Sequence, residues 1–117
     1  MSTTLAETTA HLRGLEREQQ RQAEARRAVL ADSLPRAVAL LRSIPGVTQI
    51  VLFGSLAEGG VHAWSDLDLA VEGLPRERYF SVLTELMLLV PGGVDLVRLE
   101  EAPPSLAARI HETGRPL

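Results

Sequence analysis

The sequence predicts an α/β or α+β fold built on a small mixed β-sheet. Three β-rich apolar runs, Thr48–Phe53, Leu67–Val71 and Val94–Leu99, each have glycine or proline close to one end. Stretches with helical spacing of apolar residues flank and separate them. The stretch between the second and third runs is long enough to be a crossover joining parallel strands. The first two runs are joined by a short loop-helix that allows either direction, so a mixed sheet covers both cases.

Residues 4–30 are polar and helix-forming, with leucines at 5, 12 and 15. The heptad fades at Gln19 and Arg26, so the segment reads as a solvated helical extension. A partner-binding arm is the alternative, because a lone helix with so little apolar surface needs something to pack on. A second helix is expected to start at Asp32 or Ser33, which can cap it, with Pro35 in its first turn. Val38, Leu40, Leu41 and Ile44 give it an apolar side, and Pro45-Gly46 stops it. The predicted division is an N-terminal extension, 1–31, and a domain, 32–117.

After the first strand comes Gly54-Ser55-Leu56-Ala57-Glu58-Gly59-Gly60, then a loop over residues 60–65. Glu72-Gly73-Leu74-Pro75 turns the chain into a helix of roughly 77–90. Its expected core side is Tyr79, Val82, Leu83, Leu86, Met87 and Val90. Pro91-Gly92-Gly93 resets to the third strand. Pro103-Pro104 leads into a last helix, 105–113, with Gly114 as its C-terminal cap.

The chemistry is concentrated in Asp66-Leu67-Asp68. On a strand, residues i and i+2 share a face, which sets the two carboxylates roughly 6–7 Å apart. Adjacent carboxylates repel and are costly to desolvate, and a bound divalent cation relieves both effects. Mg²⁺ suits such a pair, because it takes a few carboxylates plus substrate phosphates. The Gly54-Ser55 turn supplies the phosphate half: glycine permits close approach, backbone N–H groups point at an anion, and the Ser55 hydroxyl donates one more bond. Asp95 is the only acid inside the third run. It can share a metal or deprotonate an attacking hydroxyl. The opposing reading of Asp66 and Asp68 is a polar edge strand.

Leu52-Phe53-Gly54-Ser55, ten residues, then Asp66-Leu67-Asp68-Leu69 resembles the signature of the DNA polymerase beta-like nucleotidyltransferase superfamily. The run Ser65–Val71 resembles its minimal nucleotidyltransferase branch. The likeness continues through Val94–Val97 and Leu106–Gly114, and covers roughly residues 34–117. It implies a nucleotidyltransferase domain with a palm-like sheet and helices packed on one face. It further implies Mg²⁺ held by Asp66, Asp68 and Asp95, and nucleotide phosphates bound by Gly54 and Ser55. The implied reaction moves a nucleoside monophosphate, AMP from ATP, onto a hydroxyl. Many members of this size are antitoxins that adenylylate a HEPN-domain toxin, which makes such a protein the expected partner. Glu58 departs from the pattern, because the family's loop commonly carries a basic residue there. Arg98 and Arg115 are the candidates for the compensating charge.

Composition excludes other classes. At 117 residues the chain makes one domain. It contains no cysteine, so disulfides and thiolate metal sites are out. No apolar stretch reaches the roughly 18–20 residues of a membrane span, and no signal-peptide pattern opens the chain, so a cytoplasmic location is expected. A net charge of −3 and few aromatics argue against nucleic-acid binding. All basic residues are arginine. His11, His62 and His111 lack metal-ligand spacing. Trp64 is expected to cover the end of the core, Ser65 to cap its loop, and Glu100-Glu101 to be a solvated strand end. Two functions follow: a Mg²⁺-dependent nucleotidyltransferase acting on a partner protein, or a catalytically weak module that neutralises the partner by contact. A homodimer stays open.

Overall fold

A computed structural model describes residues 4–117; the first three residues of the expected N-terminal extension lie outside the described residues. A single 38-residue helix, α1 (Leu5–Arg42), occupies the first third of the chain. Its start is fixed by a capping box: Thr4 and Glu7 exchange hydrogen bonds between side chain and backbone, both at 3.1 Å. The expected break at residues 31–33 does not occur. Pro35 lies inside the helix. It removes one bond to Ala31, and both residues are exposed, which leaves the freed carbonyl open to solvent. Ser33 does not cap; its hydroxyl donates back to the Val29 carbonyl at 2.7 Å. Asp32 instead pairs with Arg36 one turn on. Leu30, Ser33, Ala37 and Leu41 form one continuous buried stripe across the expected junction, and this stripe holds the two halves in one helix.

The remaining elements are β1 (Gln49–Phe53), α2 (Gly54–Glu58), β2 (Leu67–Glu72), α3 (Tyr79–Leu89), β3 (Val94–Arg98), α4 (Pro104–Thr113) and β4 (Arg115–Pro116). Tight 3₁₀ turns precede α3 at 76–78 and follow β3 at 99–101. The sheet order is β3-β2-β1-β4. Strands β1 and β2 are antiparallel, whereas β2 and β3 are parallel and joined through α3. The sheet is therefore mixed, as the spacing predicts. Strand β4, only two residues long, has no sequence signature and pairs with the middle of β1.

Alternation along the strands builds two faces. Ile50, Leu52, Leu67, Leu69, Val71 and Leu96 share one core with α1 and α3. Val51, Phe53 and Ala70 share a smaller one with Ile110 of α4 on the opposite face. The two larger helices thus lie on one face, and α4 adds a partial cover on the other. Asp68 and Asp95 alternate with the first set, so they belong to the α4 face.

Several local expectations are corrected. Met87 is 57% exposed, because the buried stripe of α3 runs through Val82 and Leu86 and places Met87 on the solvent side. Gly114 does cap α4, its N–H donating to the Ile110 carbonyl, but in an extended conformation (φ −73°, ψ 155°) that leads the chain straight into β4. Trp64 is 83% exposed. It lies in a turn set by Ser65 and lines a shallow groove with Ala25 and Val29 of α1. Glu100 and Glu101 are more than a solvated end: Glu100 accepts from the Gly73 N–H, and Glu101 pairs with Arg76 and Arg98 at 2.7 Å each. None of the helices is long and apolar enough to cross a membrane among the described residues.

Candidate active site

The site is assembled at the ends of three strands. Asp68 is the second residue of β2 and stands in register with Asp95, the second residue of β3. Parallel neighbours sit about 4.8 Å apart, with side chains on the same face. On the other flank, Asp68 is paired with Phe53, the last residue of β1. The chain leaves that strand through Gly54, which has a φ of +71°. An ideal β-carbon on Gly54 would stand 2.0 Å from the Asp68 Oδ2, so only glycine lets the turn close over this carboxylate. The Ser55 backbone N–H, in the first turn of α2, favours the charged form of Asp68.

Asp66 lies two residues before Asp68, just outside β2. Its placement comes from the turn just before β3: an ideal β-carbon on Gly93 would meet the Asp66 Oδ1 at 2.6 Å, and the Leu67 N–H donates to the Gly93 carbonyl at 3.1 Å. The loop before it is closed by Ser65, a buried residue whose hydroxyl accepts from the His62 N–H at 2.8 Å. Ser65 is thereby occupied as a loop cap. His62 accepts from the Trp64 N–H through Nδ1 and faces solvent. The five residues singled out from sequence, Gly54, Ser55, Asp66, Asp68 and Asp95, are thus brought together.

Electrostatics mark Asp68 as the centre. Burial first, then the charges of Asp95 and Asp66, push its pKa up from 3.8 to about 6. The Ser55 N–H and the charge of Arg109 act in the opposite direction. Such crowding of negative charge suits a divalent cation. Among the described residues, no three His, Cys, Asp or Glu side chains gather tightly enough to cage a metal by themselves. An open acidic donor set of this kind fits Mg²⁺, which completes its shell with phosphate oxygens and water.

Arg109 is the residue that reading the sequence missed. It stands on α4 and pairs with Glu58 of the phosphate loop, Nη2 to Oε2 at 3.0 Å. The Glu58 carboxylate therefore has a counter-charge, and the cation, held at the loop, also lowers the Asp68 pKa through its charge. Neither Arg98 nor Arg115 fills this place. The Arg98 side chain, 13% exposed, is spent on the Leu74 carbonyl and on Glu101. Arg115 lies on β4, paired with Leu52. The available signal was compositional: Arg109 is the one arginine of the last helix. Nothing in the 51-residue separation tells that α4 folds back over α2.

Comparison with known proteins agrees with this geometry. The family described as "Polymerase beta, Nucleotidyltransferase" matches residues 37–117. No curated protein matches the chain by sequence. Among solved structures, the chain is similar to a toxin–antitoxin complex with AMP-PNP, with 32% identity, a TM-score of 0.62, and 68% of this chain and 67% of that chain covered. It is similar to the toxin–antitoxin MntA–HpeT carrying a D39ED41E mutation, with 29% identity, a TM-score of 0.63, and 70% and 69% covered. It is also similar to a complex from Shewanella oneidensis of a tri-AMPylated HEPN toxin with its MNT antitoxin, with 26% identity, a TM-score of 0.60, and 74% and 70% covered. Sheet, acidic pair and glycine-serine turn, together with a profile that spans more than half of the sequence, place the chain in the polymerase beta nucleotidyltransferase family, among the minimal nucleotidyltransferases.

Proposed function

We propose that the chain transfers AMP from ATP to a hydroxyl of a HEPN-domain protein, and that it is the antitoxin of such a pair. The observation that carries this reading is the register of Asp68 with Asp95 beside Gly54, with Asp66 held next to them by Gly93. The Gly54-Ser55 turn would hold the triphosphate, and Asp66, Asp68 and Asp95 would hold Mg²⁺ together with phosphate oxygens. When bound, the cation neutralises phosphate charge and fixes the triphosphate for in-line attack. Asp95, exposed at the start of β3, takes the proton of the acceptor hydroxyl. The acceptor oxygen bonds to the α-phosphorus, the bond from that phosphorus to the bridging oxygen breaks, and pyrophosphate leaves. The exposed position of the site gives a protein-borne hydroxyl room to approach. A cytoplasmic setting accords with this chemistry.

The test is transfer of label from ATP labelled on the α-phosphate to a purified HEPN-domain partner. Label is expected on the partner with Mg²⁺ and none with EDTA. A wild-type chain that leaves the partner unlabelled at saturating Mg²⁺ would sink the reading.

Arg109 is assigned to the triphosphate in place of the family's loop cation, with Glu58 orienting it. Arg109→Ala is expected to raise the KM for ATP by about tenfold, the effect of losing one charge-assisted contact of about 1.5 kcal/mol, and to lower kcat less. Steady-state kinetics at fixed free Mg²⁺ read the split.

Glu58 also favours a second reading, because its carboxylate occupies Arg109 in the ligand-free chain and competes with a phosphate for it. In that case the chain neutralises its partner by contact, and the exposed leucines of α1 (Leu5, Leu12 and Leu15) belong to the contact surface. Neutralisation surviving Asp68→Asn but lost on deleting residues 1–30 would favour it.

A further inference from the structure

The family match begins at residue 37, yet a side chain from residue 26 ties the carboxylate-bearing loops together. Arg26, part-buried on α1, donates through Nε to the Ser65 carbonyl at 2.8 Å and through Nη1 to the Pro91 carbonyl. Ser65 immediately precedes Asp66. Pro91 opens the turn that carries Gly93, against which Asp66 rests, and leads to Asp95. The neighbouring Arg27 reaches the Gly59 carbonyl, at the end of the phosphate-loop helix, at 3.4 Å. One turn of α1 thus grips the connections that follow Ser55 and precede Asp66 and Asp95. Arg26 has no acidic partner among the described residues; its partners are neutral carbonyls from two different loops. A planar guanidinium presents its donors in a rigid fork that holds two such acceptors at a set separation, which the rotatable donors of a lysine ammonium do not fix.

We propose that Arg26 is a positioning residue: by joining the loops ahead of Asp66 and Asp95 it sets the spacing of those carboxylates, and through it the affinity for the divalent cation. The metal clause rests on the nucleotidyltransferase reading of the site. On this view the long helix is a strut of the site, beyond being an appendage.

The experiment compares wild type, Arg26→Ala and Arg26→Lys by amide hydrogen exchange without metal, and by calorimetric titration of Mg²⁺ with AMP-PNP present. Exchange over residues 62–67 and 91–95 is expected to quicken in both variants, while β1 stays protected. Half-saturating Mg²⁺ is expected to rise by about tenfold, in the range found when groups orienting metal ligands are removed. Quickened exchange with half-saturation within about twofold of wild type would mean a merely structural role and overturn the proposal. Unchanged exchange in the two loops overturns it as well. Should Arg26→Ala fail to fold, Arg26→Lys decides, since it keeps the charge and stem and loses only the two-carbonyl fork. If the wild-type chain binds no AMP-PNP with Mg²⁺, the reading of the site falls, and exchange alone judges the clamp.

Discussion

Replacing Asp68 by asparagine is expected to abolish nucleotidyl transfer and, in the metal-free chain, to raise the melting temperature at neutral pH. The loss follows from position. Asp68 faces Gly54 on one flank and Asp95 on the other, so it is the carboxylate shared by the phosphate turn and the acidic group. Removing its charge is expected to lower the transfer rate by about 10³-fold or more, close to 4 kcal/mol of transition-state stabilisation. The gain in stability follows from the same crowding. Burial, Asp95 and Asp66 push the Asp68 pKa from 3.8 to about 6. The folded chain therefore keeps this proton to higher pH than the unfolded one, and stability falls as pH rises through that window. Above about pH 6 the whole penalty is in force. Because the carboxylate is only half-buried, solvent screening reduces it to about 1 kcal/mol. Asparagine keeps the shape of the side chain and removes the charge. In EDTA at pH 7.5 the variant is expected to melt above wild type, and at pH 4 the two curves are expected to converge. A variant that melts lower at pH 7.5 and still transfers label would contradict both halves. With saturating Mg²⁺ and AMP-PNP the order is expected to reverse, because ligand binding stabilises only the chain that can hold it.

The parts of this site that were legible in the sequence are those where local chemistry and spacing agree. Alternation places Asp66 and Asp68 on one face and Leu67, Leu69 and Val71 on the other, and those three side chains are buried in the larger core. Glycine before Ser55 announces a turn that needs a positive φ. Asp95 was identifiable as a lone acid in an apolar run, and a crossover through α3 made a parallel neighbour plausible, but its register with Asp68 shows only in the strand pairing. The parts that were not legible depend on tertiary contact. Arg109 and Glu58 are joined only because α4 folds over the second face. The union of the two expected helices into α1 was hidden because capping residues and a proline sat at 32, 33 and 35, and local signals there favour a start. The buried stripe from Leu30 to Leu41 overrode them. Trp64 was misread for a related reason: bulk and hydrophobicity suggest a core position, but the turn fixed by Ser65 holds its neighbours and leaves the indole on the surface. Strand β4 has two residues, one of them proline, and no periodicity can reveal it.

Gly54→Ala is expected to disable the site more selectively than it harms the fold. Two separate effects act at this position. Alanine at a φ of +71° costs about 1–2 kcal/mol of backbone strain. Its β-carbon would also stand 2.0 Å from the Asp68 Oδ2, so the carboxylate has to rotate away. The strain alone does not touch catalysis; the displacement removes Asp68 from the group it forms with Asp66 and Asp95. Gly59→Ala separates the two. Gly59 has a φ of +92° and nothing within 4 Å of an added β-carbon, so it takes the strain without the clash. Both variants are expected to lose about 1–2 kcal/mol in urea unfolding, and Gly54→Ala somewhat more. Only Gly54→Ala is expected to lose transfer, by about 10²-fold or more, the scale set by misplacing a reacting group by about 1 Å. A double-mutant cycle closes the point. If the clash with Asp68 is the cause, Asp68→Ala opens the space the new methyl needs, and Gly54→Ala becomes less destabilising in that background than in wild type. Strict additivity of the two would place the damage in the backbone alone, and the close approach of the glycine turn to Asp68 would then have no part in building the site.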